Sequence, residues 1–288
     1  YDYDIHLSFS YDNGLSWSKS EVPHATTTKG EHGFVSISIG DKKHDLVWLD
    51  GREMLMSHGN NDYGQMNLYH REFTNDGKLG PEYLIDPRVC ECCPTSSVSF
   101  KDTLVVAYRD RSDEEIRDIY IARKTGDIWE PPYSVHNDGW KIAGCPVNGP
   151  MLSIRSNQIA IAWYTAANDK AKVNVAFSDD LGKTFSKPIR VDSGMPLGRV
   201  DLDWINDSEV LVSWIESSEL SSNIVVRKIK NDLTMRDKMV IAEVSKGRIS
   251  GYPQMETHKD QILFSWTEIG TETSVASKWI PISNIVNN

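Results

Sequence analysis

Long apolar runs are scarce in this chain. The longest reach only about five to seven residues, against the roughly 20 that a membrane-spanning helix requires, so no span is expected. Basic residues are in short supply as well: 31 Lys and Arg stand against 41 Asp and Glu, a net charge of -10, and no basic run occurs. A nucleic acid needs a basic face to bind, so none is expected as a partner. Helical periodicity is sustained nowhere, which leaves an all-β reading. Cysteine is sparse, with four in 288 residues. The chain also lacks an initiating methionine and opens, at Tyr1, on what already reads as a strand, so upstream sequence is expected to be missing.

What is present is repetition. Residues 10–17 read SYDNGLSW and residues 178–185 read SDDLGKTF: a serine, an aspartate two places on, a glycine two further, then a hydroxyl and an aromatic. That spacing suits a tight hairpin in which the glycine takes a positive φ, the aspartate caps loop amides and the aromatic anchors the returning strand. A second phrase, an apolar run ending in an aromatic and a polar pair, recurs as DLVWLDG, LVVAYRDR, IAIAWYTA, VLVSWIES and ILFSWTEI, with the aromatics at Trp48, Tyr108, Trp163, Trp214 and Trp266. The period of roughly 50 to 60 residues is that of a four-stranded propeller blade. The expectation is a single domain over 1–288, with blades at about 31–88, 89–140, 141–195, 196–246 and 247–288 and a partial blade over 1–30. Inner strands are placed at 33–39, 95–100, 150–155, 198–204 and 251–256, and outer ones at 81–86, 132–136, 188–192 and 238–243. A ring must close, so a six-bladed propeller with an incomplete N-terminal blade is expected.

The two boxes are similar to the S-x-D-x-G-x-T-W Asp box, and with the blade period the chain resembles the sialidase (neuraminidase) superfamily of β-propellers. The phrases EHGFVS, WLDGR, VCECCPTS and GCPVNGP resemble, more narrowly, a group of bacterial sialidase-like proteins. The resemblance implies a carbohydrate or glycoconjugate partner, three arginines gripping a sugar carboxylate, a tyrosine nucleophile activated by a glutamate, and an aspartate acid. A planar guanidinium meets a carboxylate in bidentate fashion, and a phenol nucleophile avoids setting a second negative charge against an anionic sugar. Carried onto this chain, the arginines are Arg52, Arg109 and Arg199, the nucleophile pair Tyr252 and Glu216, and the acid Asp50. The family's F/Y-R-I-P motif is absent from this sequence.

Independently of the resemblance, strand order sends these residues to one end of each blade. The links into the inner strands and those between second and third strands share a face, and the box links lie on the other. Asn148, Arg199, Asp201 and Tyr252 begin inner strands, while Asp50, Arg52, Arg109 and Glu216 close second strands. Asn148 and Asp201 therefore join the three arginines as expected substrate contacts. A plainer reading of the arginines has them tying neighbouring blades together through Asp50, Asp110 and Asp201. The mixed-charge stretch RDRSDEEIRD (109–118) reads either as a solvated loop laced with ion pairs or as a lid carrying Glu115 and Arg117 over the mouth. Trp48, Trp163, Trp214 and Trp266 share a blade position and read as packing, whereas Trp140 would stack on a sugar or cover the cysteines.

Cys90, Cys92, Cys93 and Cys145 enter adjacent blades and should lie close together. Three states stay open: disulfides in a secreted or periplasmic protein, with Cys145 bridged to one of the cluster; reduced thiols; or a copper or zinc site in which Cys92, Cys93 and Cys145 are joined by His32. Three functions follow. The first is an exo-glycosidase acting on a sialic-acid-like sugar without a cofactor, the second a non-catalytic glycan- or protein-binding propeller, and the third a metal or redox protein centred on the cysteines.

Overall fold

The computed structural model describes residues 2–25, 29–56, 64–218 and 221–286. Of the long loop 52–64 that obscures the first blade's boundary, residues 57–63 lie outside them. By compactness the chain falls into two units: Tyr1–Tyr133 with Ile142–Pro146, and Ser134–Lys141 with Val147–Asn288.

The first unit holds two antiparallel sheets. One runs β1 (His32–Ile39), β2 (Lys43–Asp50), β3 (Asn67–Thr74) and β4 (Leu79–Asp86), with a single-turn helix α1 (Arg52–Met56) after β2. The other runs β5 (Ser96–Phe100), β6 (Thr103–Arg109), β7 (Ile119–Thr125) and β8 (Ile128–Trp129), with the short β9 (Tyr133–Ser134) also paired to β7. The second unit holds three more: β10 (Met151–Arg155), β11 (Gln158–Thr165), β12 (Lys172–Ser178) and β13 (Ile189–Arg190); then β14 (Met195–Trp204), β15 (Glu209–Ser217), β16 (Ser222–Lys230) and β17 (Met239–Val244); and last β18 (Gln254–His258), β19 (Gln261–Ile269) and β20 (Thr273–Pro281), followed by the short helix α2 (Ile282–Val286).

Each recurrent aromatic phrase is the second strand of its sheet. In the first four sheets these strands read as near-continuous apolar runs because both faces are covered: β6 is buried along its whole length, and Trp48, Trp163 and Trp214 are all but sealed from solvent, whereas β19 alternates and its Trp266 is only partly buried. In the first unit Leu49 and Leu68 of one sheet pack with Val106 and Tyr108 of the next. In the second, Val175 and Phe177 pack with Trp204 and Trp214, and a further cluster joins Leu211, Ile224, Phe264 and Ile280.

The outer strands are where expectation and structure part. The stretch 188–192 pairs only over Ile189–Arg190, and 132–136 only over Tyr133–Ser134. Pro188, Pro131 and Pro132 cannot donate to a ladder, which shortens both. Beyond β13 the Asp192 carboxylate takes over, accepting the Val173 N–H at 2.7 Å. At the N-terminus residues 5–10 and 18–23, within the expected partial blade 1–30, form a hairpin with one β-bridge, Leu7 to Glu21, and a bond from the Ser18 amide to the Phe9 carbonyl at 2.8 Å, and Tyr3 runs parallel against Glu31.

Candidate functional site

The two boxes fold alike. Asp12 accepts from the Ser16 amide (2.9 Å), the Ser16 hydroxyl (2.6 Å) and the Ser10 hydroxyl (2.9 Å). Asp180 accepts from the Thr184 amide (3.0 Å), the Thr184 hydroxyl (2.7 Å) and the Ser178 hydroxyl (2.8 Å). Gly14 and Gly182 hold φ of 86° and 71°, which a side chain would resist. The Asp180 box leaves β12 at Ser178, paired with Ile159, whereas Thr165 at the other end of β11 pairs with Lys172. In the first unit Tyr11 donates to the Asn75 carbonyl at the β3–β4 turn, and Asp50 pairs with Asn67 at the opposite strand ends. Within each unit, then, the candidate residues and the box occupy opposite ends of the strands.

Asp50 closes β2 and is fully buried. It accepts from Arg52 Nε (2.8 Å) and Nη2 (2.6 Å), the Arg52 amide (3.0 Å) and Trp48 Nε1 (2.8 Å). Burial alone would raise its pKa, but the bonds from Arg52 and Trp48, with the His32 imidazole 3.4 Å away, outweigh it and hold the carboxyl well below the usual range. A general acid must keep its proton near neutrality, so Asp50 in this setting does not fit the acid role expected of it. Arg52 is committed to Asp50 and also donates to Glu82 at 3.1 Å, with its guanidinium 4.2 Å from the Tyr69 ring. A cleft of about 650 Å³ in this unit lies at the other strand ends, lined by Gly40, Lys43, Glu72, Lys101 and Lys124, away from Asp50.

Arg109, at 1% exposure, donates to the Arg117 carbonyl at 2.6 Å, so a side chain expected to meet substrate is instead sealed inside its sheet. The loop after it is an ion-pair network: Arg111 forks onto Glu115 at 3.0 and 2.6 Å and also meets Glu91, while Arg117 reaches Glu91 at 2.9 Å and Glu115 at 3.0 Å. Glu115 and Arg117 thus pin the loop down, the first of its two expected readings. Beneath it Asp110 is pushed up to about 7 by burial and by the neighbouring Asp86 and Asp118 charges, the shift that a proton donor requires. Its place in RDR was visible in sequence, but its elevated pKa comes first from burial and then from Asp86 on another segment and Asp118 at the far end of the same loop, and how the chain brings these together leaves no mark in the sequence.

Two disulfides join the cysteines, Cys90 to Cys93 and Cys92 to Cys145. This withdraws the thiolates a copper or zinc ion would need, so the set Cys92, Cys93, Cys145 and His32 does not assemble. His32 lies instead among Asp4, His24 and Asp50.

In the second unit, Gly198 (φ 83°) and Arg199 (φ 56°) form an irregularity in β14 that turns Arg199 inward. The Arg199 amide donates to Asn148 Oδ1 at 2.7 Å, and Asn148 donates to the Leu197 carbonyl at 3.1 Å. The guanidinium bonds the Ser250 hydroxyl (3.2 Å) and the Gly251 carbonyl, and stands 5.4 Å from the Tyr252 ring centre. Tyr252 donates its hydroxyl proton to the Val147 carbonyl at 3.0 Å. Asn148, Arg199 and Tyr252 are therefore brought together, Asn148 as a backbone brace. Glu216 meets Lys238 at 2.5 Å through Oε2, and its Oε1, buried beneath Gly194, has no hydrogen-bond partner among the described residues. Asp201 is the exception in this group. Its two oxygens accept the Leu202 (2.8 Å) and Met255 (2.6 Å) amides, a tie between β14 and β18 with nothing left for a ligand. Trp140 packs edge-on against Tyr164 and is buried, so it is no exposed sugar platform.

No protein-family model matches the chain, and no curated protein matches it in sequence. Solved structures do. The Hadza microbial sialidase Hz136 superposes with a TM-score of 0.62 at 14% identity, over 98% of this chain and 60% of that one. A Trypanosoma rangeli sialidase, in complex with 2,3-difluorosialic acid as a covalent intermediate, gives 0.60 at 11% identity over 98% and 49%. The NanB sialidase of Streptococcus pneumoniae gives 0.59 at 12% over 98% and 64%. The chain thus has the sialidase-like β-propeller fold, and it spans about half to two thirds of the length of these proteins. Among the described residues no helix is long and apolar enough to cross a membrane.

Proposed function

We propose that the chain is a carbohydrate-active propeller, an exo-glycosidase whose substrate is an anionic, sialic-acid-like sugar held at the strand ends of the second unit. The contact of Arg199 with Tyr252 carries this reading: a guanidinium beside a phenol, at the starts of neighbouring inner strands, in a fold shared with proteins that form covalent sialyl intermediates. Tyr252 would attack the anomeric carbon as the glycosidic C–O bond breaks, the aglycone leaving with a proton drawn from water; Glu216 would take the phenol proton through Oε1, Arg199 would face the sugar carboxylate, and a water would then hydrolyse the glycosyl-tyrosine to the free sugar and restore the phenol. The Tyr252 hydroxyl must first leave the Val147 carbonyl. Two disulfides support a secreted or periplasmic setting. A sixth blade, to which the hairpin 5–23 would contribute, belongs to the same proposal.

A second reading is a glycan- or protein-binding propeller without catalysis. It is favoured by Arg52, which Asp50 and Glu82 hold, and by the sealed Arg109. Incubation with a fluorogenic sialoside separates the two. Turnover that falls at least ~100-fold in Tyr252→Phe while sugar binding persists supports the enzyme. Saturable binding with no turnover supports the module, and neither binding nor turnover rejects both.

A further inference from the structure

The segment ahead of the first sheet builds a cluster that neither reading uses. Tyr3 pairs in parallel with Glu31: its amide donates to the Gly30 carbonyl and its carbonyl accepts from the His32 amide, both at 3.1 Å. That pairing sets Asp4 beside His32. His24, from the returning arm of the hairpin, stacks on His32 with ring centres 3.9 Å apart and planes within 5°. Both rings are at least nine-tenths buried, and among the described residues none of their four nitrogens makes a well-formed hydrogen bond: three of them only face Asp4 or Asp50 carboxylate oxygens, at 3.2 to 3.6 Å. Leaving buried polar atoms unpaired costs about 1 to 3 kcal/mol each, so such a group calls for an explanation.

The nitrogens point to the explanation themselves. His24 Nε2 lies 3.2 Å and His32 Nδ1 3.6 Å from Asp4 Oδ1, and the three ligand atoms all fall within 4.8 Å of one another. Ligands about 2.0 to 2.1 Å from a tetrahedral ion are separated by roughly 3.4 Å, close to the 3.2 and 3.6 Å between Asp4 Oδ1 and the two imidazole nitrogens. The other nitrogen of His32, Nε2, faces Asp50 Oδ1 at 3.4 Å, and Asp50 is itself fixed by Trp48 and Arg52. A carboxylate behind a ligating imidazole is the usual support of a metal-bound histidine. We propose that Asp4, His24 and His32 form a site for a divalent transition ion of the zinc class, with Asp50 orienting His32. Asp4 is half exposed, which gives the ion a route in and leaves its fourth position to water. The rings must tilt out of parallel for their lone pairs to converge, so ion binding replaces the stack.

Full-length, chelator-stripped protein, kept oxidised so that the cysteines stay in disulfides, is titrated with zinc and followed by calorimetry and thermal melting. One ion per chain and a Tm rise of several degrees at saturating zinc are expected. Asp4→Asn, at a half-exposed position, and His24→Gln should each weaken binding at least ~10-fold while the zinc-free Tm stays near that of the parent. Cobalt substitution should give a visible spectrum of nitrogen and oxygen ligation. The proposal is overturned if the folded, stripped chain takes up no zinc, if both variants bind as the parent does, or if binding disappears only when cysteines are replaced.

Discussion

Single side chains decide how this protein responds to pH. Asp201 is pushed up to about 7 by burial, against the opposing bonds from the Met255 and Leu202 amides. Because its folded pKa lies above that of the unfolded chain, its contribution to stability is full below about pH 4 and is lost as pH rises through about 7. Asp110 carries the same sign for a related cause. Urea melts of Asp201→Asn at pH 5 and pH 8 should therefore show a shallower pH dependence than the parent. The variant should gain about 1 to 3 kcal/mol relative to it between the two pH values, and an unchanged slope would refute the assignment. The boxes give a second residue-level expectation. Removing the Asp180 carboxylate deprives two amides and two hydroxyls of their acceptor. Asp180→Ala should lower stability by about 1 to 3 kcal/mol, read from its denaturation midpoint. These boxes were plain in the sequence because every partner lies within six residues. Arg109 was not, since the carbonyl that receives it depends on how the 110–118 loop folds back.

Among the elements, second strands were the most legible and outer strands the least. A strand covered on both faces must be apolar throughout, and LVVAY or IAIAW can be little else. Outer strands have one partner and tolerate Pro131, Pro132 and Pro188, so their ladders shorten without leaving a trace in hydrophobic pattern. The aromatic of a second strand should accordingly be costly to remove. Trp214→Ala, at 1% exposure amid Val212, Val225 and Trp204, is expected to cost about 3 to 5 kcal/mol by chemical denaturation. The disulfides differ by the loops they close. Cys92 and Cys145 are 53 residues apart and Cys90 and Cys93 only 3, so replacing the first pair by serines should cost about 4 kcal/mol and the second about 2. Equal losses for the two pairs would contradict this account.

For the whole molecule, the blade period announced five sheets because each repeats one burial problem. The division into two units carries no such mark, since the exchange of Ser134–Lys141 and Ile142–Pro146 between them leaves composition unchanged. The Asp4–His24–His32 cluster was equally silent: it rests on a parallel pairing of Tyr3 with Glu31, and pairings across 28 residues leave no local pattern. The longer disulfide has a topological consequence. Cys92 and Cys145 turn the intervening chain, which includes β5 through β9, into a covalent ring. When the protein is pulled from its ends, that ring withholds the extension of 53 residues, about 180 Å at roughly 3.4 Å each. Single-molecule traces of the oxidised protein should end short of the reduced ones by that length, and a protease cut anywhere inside the ring should leave one band on a gel until a reductant opens it.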